Sequence, residues 1–350
     1  MAVTENRRAD TAQARDRLEA YLVRSELKKR TLAVVPLTGD ASDRRYFRVI
    51  VRDAASIVLA LHPESFSYET LPFVRIAELL RQMPVPVPAI IDHADDLALL
   101  VLQDLGDVTL QAYLGAVQPA DHIGLYRQAV AVIEILQRRG ADLDSPEYPP
   151  YCVAFDTEKF LWELEFFTKH FIEGYRGMAI EAPLRDALLT EWRHLAGLLA
   201  SEPRVLCHRD YHSRNLMLSA GDLYVIDFQD ARMGPDTYDL TSLLRDSYVD
   251  LSDEDSDALI DHFVALKREG RPDLNADEWE RGFRCRFEMM ALQRNLKALG
   301  TFGYQTTARS NPVYMQYIPR TLRYVTMALE RQPQFGRLQE LLSGLIGEMF

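Results

Sequence analysis

The most constraining feature of this chain is a polar loop at residues 208–218, followed by a short apolar strand that ends at Asp227. The loop reads HRDYHSRNLML and contains Asp210 and Asn215, and the strand reads YVID. Carboxylate and amide oxygens are hard ligands that suit Mg²⁺, and a further carboxylate can accept the proton of a hydroxyl group. Phosphoryl transfer needs such positioning and charge neutralisation more than covalent help. The pattern therefore predicts metal-assisted phosphoryl transfer.

The segments before this loop predict a small antiparallel sheet with helices. Helical spacing of apolar residues covers 11–30 and 70–83, whereas strand-like runs lie at 32–37, 46–51, 56–61, 89–91 and 97–103. Beyond residue 107 the pattern is mainly helical, at 121–139, 157–175, 183–200, 253–269, 276–299 and 314–330. Strand-like segments at 205–218 and 223–228 interrupt these helices. We expect an α+β chain with an amino-terminal lobe (1–103), a hinge (104–107) and a helical carboxy-terminal lobe (108–350).

Composition excludes several classes of protein. The 350 residues carry a formal net charge of −12, which argues against a general nucleic-acid-binding protein. The three cysteines form no CxxC pair, so a disulfide scaffold and a cysteine-based zinc site are not expected. A charged amino terminus and short apolar runs predict neither a signal peptide nor a membrane span. We expect a cytoplasmic enzyme with no obligate protein partner.

The polar loop and the strand that follows it resemble the catalytic core of the aminoglycoside phosphotransferase family, whose fold is protein-kinase-like and bilobal. The matching positions are His208, Asp210, His212 and Asn215, then Ile226, Asp227 and Phe228, then Gly234, Pro235, Tyr238, Asp239 and Leu240. The resemblance implies ATP and Mg²⁺ as cofactors. It implies that Asp210 is the catalytic base and that Asn215 and Asp227 hold the metal. It also implies that His208, His212 and Asp239 support the catalytic loop.

The same resemblance places a nucleotide site in the amino-terminal lobe. The hairpin that would cover the nucleotide contributes Gly39, Asp40, Ser42, Arg44 and Arg45, and the hinge would contribute Gln103, Asp104 and Leu105. The lysine that usually anchors the phosphates from the third strand is missing, because Ala60 occupies its expected position and residues 31–158 contain no lysine. Arginine is a credible replacement because its guanidinium stays charged and presents several donors. The sequence leaves four candidates, which are Arg44, Arg45, Arg48 and His62.

A narrower resemblance concerns the bacterial anomeric N-acetylmuramate/N-acetylglucosamine kinases of cell-wall recycling. The similar blocks are residues 39–48, 208–217, 226–231, 291–300 and 317–320. It implies a small-molecule sugar substrate and ATP-dependent formation of a sugar 1-phosphate. From the need for hydrogen bonds and an aromatic platform, we predict a sugar site formed by Asp246, Tyr248, Arg294, Asn295 and Tyr304. The sequence equally allows Arg294, Asn295 and Lys297 to lie on a solvated helix face.

Two other functions remain open at this point. One is an aminoglycoside or other metabolite O-phosphotransferase of the same fold. The other is a nucleotide-binding pseudokinase, which the missing lysine favours, although the chain keeps Asp210, Asn215 and Asp227. Phosphorylation of a sugar would indicate the sugar kinase, and phosphorylation of an antibiotic or another metabolite would indicate the second function. A pseudokinase would phosphorylate no acceptor.

Overall fold

A five-stranded antiparallel sheet forms the amino-terminal part of the computed structural model, which describes residues 2–37, 44–116, 122–269 and 276–347. Its strands are β1 (Thr31–Leu37), β2 (Arg45–Val51), β3 (Ile57–Leu61), β4 (Ile90–Ala94) and β5 (Leu99–Gln103). They lie in the order β1-β2-β3-β5-β4, and every neighbouring pair is antiparallel. The predicted amino-terminal sheet is therefore confirmed.

The two faces of this sheet are covered by different helices. Successive side chains of a strand point to opposite faces. Phe47 and Leu59 accordingly pack in one core cluster with α1 (Ala2–Arg24), whereas Val58 and Ala60 pack in another with α2 (Pro72–Gln82). The even-numbered positions of β2 and β3 thus lie on the α2 side of the sheet, which is also the side that faces the rest of the chain.

The carboxy-terminal part is mainly helical, as predicted. Its helices are α3 (Leu110–Leu114), α4 (His122–Asp142), α5 (Thr157–Phe167), α6 (Ala182–Ala200), α7 (Tyr238–Leu244), α8 (Asp253–Glu269), α9 (Ala276–Thr307), α10 (Ile318–Glu330) and α11 (Gly336–Ile346). A π-helical segment, Thr168–Tyr175, continues α5. Among the described residues, no helix is both long enough and apolar enough to cross a membrane.

Two short antiparallel strand pairs frame the polar loop. Strand β6 (Arg204–Cys207) pairs with β9 (Arg232–Pro235), and β7 (Leu216–Ser219) pairs with β8 (Asp222–Val225). The strand-like segment predicted over 205–218 is therefore two strands with a loop between them. The loop leaves the sheet because side-chain carboxylates, rather than a neighbouring strand, accept several of its backbone N–H groups.

Several helix predictions differ from the structure, and α3, α7 and α11 lie outside every predicted helix. The helix predicted at 11–30 is α1, which ends at Arg24, because the backbone at Glu26 takes a left-handed conformation with φ of 60°. The helix predicted to end at residue 299 continues to Thr307 as α9. Helix α11 was not predicted, although Leu338, Leu342 and Leu345 bury one side of it.

Candidate active site

A cavity of about 600 Å³ lies between the sheet and the helical part of the chain. Its walls include Val58 of β3, Leu102 to Asp107 at the end of β5, and Met217 of β7. Asn215 and Asp227 lie at its polar end. One wall is thus apolar and one end is polar, an arrangement that suits a flat apolar ring joined to a charged group.

The segment after β5 is fixed by a buried ion pair. The Nε and Nη2 atoms of Arg48 donate to the two carboxylate oxygens of Asp104, at 2.6 and 2.9 Å. Ser56 and the N–H of Gly106 also donate to Asp104. The carboxylate of Asp104 is therefore occupied by hydrogen bonds within the protein. The side-chain oxygen of Gln103 likewise accepts a hydrogen bond from the N–H of Ala89. The predicted hinge residues Gln103, Asp104 and Leu105 all line the cavity.

The predicted catalytic loop, the polar loop at residues 208–218, is held by two buried carboxylates from the segment 239–246. Asp239 accepts hydrogen bonds from the N–H groups of His208, at 2.6 Å, and Arg209, at 3.0 Å. Asp246 accepts from the N–H of Ser213, at 3.0 Å. The backbone at Arg209 has a φ of 83°, which is unfavourable for a side chain with a Cβ. The bonds to Asp239 stabilise this turn, which presents Asp210.

His208 connects the loop to the strand end that carries Asp227. Its Nε2 donates to the carbonyl of Ile226, at 2.9 Å. Asp227 follows with φ of 64°, again in the left-handed region. Such strained backbone conformations persist only where surrounding contacts determine them, and they concentrate at functional sites.

Asp210, Asn215 and Asp227 lie close together, and two of them, Asn215 and Asp227, line the cavity. The amide nitrogen of Asn215 donates to the carbonyl of Asp210, at 2.9 Å, and lies 3.5 Å from Oδ2 of Asp227. The first of these bonds orients the Asn215 side chain. In the described residues no cluster of three or more His, Cys, Asp or Glu side chains forms a metal site. One carboxylate and one amide suit Mg²⁺, which takes its other ligands from phosphates and water.

Cations surround Asp210. Lys297 Nζ lies 3.6 Å from one carboxylate oxygen, and Arg209 Nε lies 4.0 Å from the other. Burial by itself would raise the pKa of Asp210, but the charges of Lys297, Arg209 and Arg294 outweigh it and hold that pKa well below its usual range. Asp210 is therefore ionised at neutral pH and can accept a hydrogen bond from a hydroxyl group.

Ala60 lies on the cavity side of β3. It is two residues beyond Val58, which lines the cavity, and the two side chains share one core cluster with α2. Its position fits that of the missing lysine, and its methyl group supplies no charge. Strand β3 (Ile57–Leu61) thus supplies no cation to the cavity side of the sheet.

Arg44 is the candidate replacement that lies beside Asp227, the predicted metal ligand. Its Nη2 lies 3.9 Å from Oδ1 of Asp227, and its side chain is 15% exposed. Arg45 instead stacks on Phe47, on the sheet face that packs against α1. Arg48 is engaged with Asp104 and Asp107. Burial lowers the pKa of His62 to about 4, with the charges of Arg44 and Arg17 adding to the effect, so His62 is neutral at pH 7.

The structure places two of the predicted sugar-binding residues inside the protein. Asp246 is 4% exposed and binds Ser213 and the N–H of Tyr248. Asn295 is 2% exposed, and its amide donates to the carbonyl of Ala291 in its own helix. Both predictions are corrected, because these polar groups satisfy the loop and the helix rather than facing a ligand.

Two of the other three predicted sugar-binding residues contact the loop, and the third contacts other residues. Arg294 stacks on Tyr238 and donates to the carbonyl of Arg209, at 3.0 Å. Tyr248 packs against His212 and Arg214. Tyr304 lies on α9 two turns beyond Lys297, and its ring contacts Phe166 and His170. The structure brings Arg294 to the loop at Arg209 and Tyr248 to the loop at His212, whereas the ring contacts of Tyr304 lie farther along α9.

Lys297 is the residue that the sequence prediction omitted from the site. Its residue type and helical spacing equally allowed a solvated helix face. The packing of α9 against the loop is what brings it to Asp210. Gly39, Asp40 and Ser42, by contrast, lie outside the described residues.

Residues 33–275 match the model of the phosphotransferase enzyme family, APH. This match covers more than half of the chain and includes the whole catalytic loop. The chain belongs to this phosphotransferase family. The phosphotransferase lacks the strand lysine and carries Arg44 beside Asp227, the predicted metal ligand.

Curated relatives of the phosphotransferase cover most of its length. An N-acetylmuramate/N-acetylglucosamine kinase of Neisseria meningitidis serogroup B is 33% identical over 315 residues, 89% of this chain and 90% of that protein. A kinase of the same name from Pseudomonas aeruginosa is 31% identical over 316 residues, 89% of this chain and 88% of that protein. The similarity therefore extends across both parts of the fold.

Solved structures show the same fold at low sequence identity. The amicoumacin kinase hAmiN, in complex with AMP-PNP, Ca²⁺ and Ami, superposes with a TM-score of 0.60 at 16% identity, over 90% of this chain and 95% of that one. The aminoglycoside phosphotransferase APH(2'')-Ib, bound to ADP, superposes with a TM-score of 0.56 at 16% identity, over 91% and 98%. The predicted protein-kinase-like bilobal fold of the phosphotransferase is thus confirmed.

Proposed function

We propose that this phosphotransferase uses ATP to phosphorylate the anomeric hydroxyl of N-acetylmuramate, N-acetylglucosamine or both, giving the sugar 1-phosphate. The observation that carries the proposal is the arrangement of Asp210, Asn215 and Asp227 in a chain that matches kinases of that name over 89% of its length. The proposal includes a small-molecule substrate without a nucleic-acid or obligate protein partner. It also includes a cytoplasmic setting.

The nucleotide fits the cavity between the two parts of the chain. Val58, Met217 and the segment from Gln103 to Leu105 line this cavity and would hold the adenine ring. Asp227 and Asn215 would hold Mg²⁺, because both residues line the cavity and carboxylate and amide oxygens suit that ion. When bound, ATP supplies the phosphoryl group and Mg²⁺ neutralises charge on its phosphates. In this proposal residues 1–103 and 108–350 are the two lobes, with 104–107 as the hinge.

Arg44 would bind the phosphates in place of the missing lysine. It lies beside Asp227, and its guanidinium presents several donors in a fixed geometry. Arg48 is held by Asp104, Arg45 lies on the other face of the sheet, and His62 is neutral. This leaves Arg44 as the cation among the four sequence candidates that is charged and adjacent to the metal site.

Asp210 would orient the acceptor hydroxyl and accept its proton. The cations around it lower its pKa, so it is a weak base. A weak base suits an acidic hydroxyl, and an anomeric hydroxyl is more acidic than other sugar hydroxyls because the ring oxygen withdraws electrons. Its weak basicity is compatible with a largely dissociative transition state, in which the acceptor hydroxyl needs little activation before the phosphoryl group moves.

A coupled ADP-release assay with a panel of sugars tests the proposal. We expect turnover with N-acetylmuramate or N-acetylglucosamine, phosphate at the anomeric carbon by NMR, and loss of turnover in Asp210→Ala. If neither sugar exceeds the buffer rate while an aminoglycoside or another metabolite is phosphorylated, the sugar proposal is wrong. If Mg²⁺ and ATP raise the melting temperature but no acceptor is phosphorylated, the protein is a nucleotide-binding pseudokinase.

A further inference from the structure

Five cationic side chains interact electrostatically with Asp210 or with one another, although the chain as a whole carries a net charge of −12. We call this group the acceptor cation cluster, and its members are Lys159, Arg209, Arg232, Arg294 and Lys297. Glu163 and Asp230 lie among them. Two of the six lysines of the chain are in this cluster. The cluster lies beside the catalytic loop, whereas none of its members lines the nucleotide cavity.

Most members of the acceptor cation cluster are already engaged by protein groups. Arg209 pairs with Asp230, at 3.1 Å, and Arg294 donates to the carbonyl of Arg209. Arg232 donates to the carbonyl of Asp230, at 3.3 Å. Lys297 is committed to Asp210, at 3.6 Å. These contacts hold the loop and the catalytic carboxylate in place.

Lys159 differs from the other members. Its Nζ pairs with Oε1 of Glu163, at 3.8 Å, and among the described residues its side chain donates no hydrogen bond. The ammonium group of Lys297 donates none either, but its ion pair is with Asp210 itself. Glu163 is itself held by a hydrogen bond from Gln293, at 2.8 Å, which lies one helical turn before Lys297 on α9. The contacts therefore connect Lys159 to Lys297 and Asp210 through two neighbouring helices.

Trp162 lies next to this ammonium group. Lys159 Nζ lies 4.1 Å from the centre of the indole ring, and Trp162 is 54% exposed. Burial lowers the pKa of Lys159, Glu163 opposes this shift, and the like charges of Arg209, Arg232 and Lys297 add to it. An anion bound here would relieve that repulsion, and an exposed indole offers a flat surface for the apolar face of a sugar ring.

We infer that Lys159 and Trp162 form a subsite that selects sugars bearing a carboxylate substituent over neutral sugars. Lys159 would bind the carboxylate and Trp162 would contact the adjacent apolar surface of the substrate. Lys297 cannot fill the same role, because it contacts Asp210 where the reacting hydroxyl has to lie. The carboxylate of N-acetylmuramate is on a different ring carbon, so the cation that meets it has to lie farther from Asp210. This inference rests on the proposed function and specifies its substrate class.

The experiment compares kcat/KM for N-acetylmuramate with that for N-acetylglucosamine, which lacks the carboxylate. Lys159→Met keeps the length of the side chain and removes its charge. We expect the ratio of the two values to fall about tenfold or more in Lys159→Met, because one charged hydrogen-bonding partner is lost to the acidic sugar. Lys159→Arg should restore part of the ratio. Lys169→Met, which removes an exposed lysine in the next helical segment, should leave it unchanged.

The outcomes separate this inference from the proposed function. Wild-type protein that phosphorylates neither sugar overturns the proposed function and the inference together. Wild-type protein that phosphorylates both sugars, with both kcat/KM values unchanged in Lys159→Met, overturns the inference alone. An equal loss for both sugars in Lys159→Met also overturns it, since that result means a structural role for Lys159. In that case the melting temperature of Lys159→Met should be lowered, whereas it should equal that of the wild type if Lys159 has no role.

Discussion

The guanidinium of Arg48 holds the carboxylate of Asp104 through hydrogen bonds of 2.6 and 2.9 Å. This pair ties β2 to the segment after β5, so it joins the hairpin above the nucleotide cavity to the predicted hinge. Asp104 is buried, with 5% of its side chain exposed, and its other partners are Ser56 and Gly106. Loss of the arginine would therefore leave an unpaired buried charge.

We expect Arg48→Met to lower the free energy of unfolding by about 3 kcal/mol, the usual cost of breaking a buried ion pair. Urea denaturation measures the change. Arg24→Met is the matched control, because Arg24 pairs with Asp96 at the surface, where such pairs contribute about 1 kcal/mol or less. Equal losses of unfolding free energy in the two variants would show that burial of Asp104 does not strengthen its pair with Arg48.

The same pair predicts a pH dependence of stability. Burial raises the pKa of Asp104, but the hydrogen bonds from Arg48, Ser56 and Gly106 lower it further, so its pKa lies below the ordinary value. The unfolded chain then binds more protons than the folded chain as the pH falls below about 4. The difference in stability between wild type and Arg48→Met should therefore be full above that pH and shrink below it. Denaturation curves from pH 6 to pH 3 test this, and a difference that grows on acidification contradicts it.

Asp210→Asn should reduce kcat about 10²- to 10⁴-fold, the usual contribution of a general base. The amide has nearly the same shape but cannot accept a proton. Thermal shift with ATP and Mg²⁺ should still show binding, because Asn215 and Asp227 remain. Asp222→Asn, on the exposed start of β8, is the control and should keep wild-type kcat. Activity in Asp210→Asn close to that of the control would exclude Asp210 as the base.

Arg44→Met and Arg45→Met should behave differently although the residues are adjacent. Arg44 lies beside Asp227, whereas Arg45 stacks on Phe47 on the opposite face of the sheet. We expect the KM for ATP to rise about tenfold or more in Arg44→Met, since a charged hydrogen-bonding partner of the phosphates is removed. Arg45→Met should change it little. Initial-rate kinetics at varied ATP decide the matter, and equal effects would remove Arg44 as the phosphate anchor.

Gly303→Ala should destabilise the fold because α9 packs closely on the π-helical segment there. An added Cβ would overlap the carbonyl oxygen of His170, which is backbone and cannot move aside easily. We expect a loss of about 1–3 kcal/mol. Gly344→Ala, in an open position of α11, should instead gain about 0.5–1 kcal/mol from the higher helix propensity of alanine. Chemical denaturation of both variants compares them, and a neutral Gly303→Ala would show that α9 can shift.

Much of the site follows from local sequence. Asp210 and Asn215 lie on one short loop, and Asp227 ends the strand that comes next, so their order and spacing alone place them near one another. The strict alternation of β3 likewise puts Ala60 on the same face as Val58. Both are short-range constraints of strand and turn geometry, and the structure agrees with them.

Long-range packing decided the rest. Whether Arg44 or Arg45 faces the cavity depends on which side of the sheet α1 covers, and local sequence does not specify that. Asp246 and Asn295 carry polar groups that a sugar site needs, yet burial turned them toward Ser213 and the carbonyl of Ala291. Lys297 reaches Asp210 only because α9 packs against the catalytic loop.

The sequence by itself determined the family, the catalytic loop and the absence of a strand lysine, because these depend on residues that are neighbours in the chain. The tertiary structure decided which cations surround Asp210. Charges from α5, α9 and the loop act on one carboxylate only after the chain has folded, since electrostatic interactions weaken with distance.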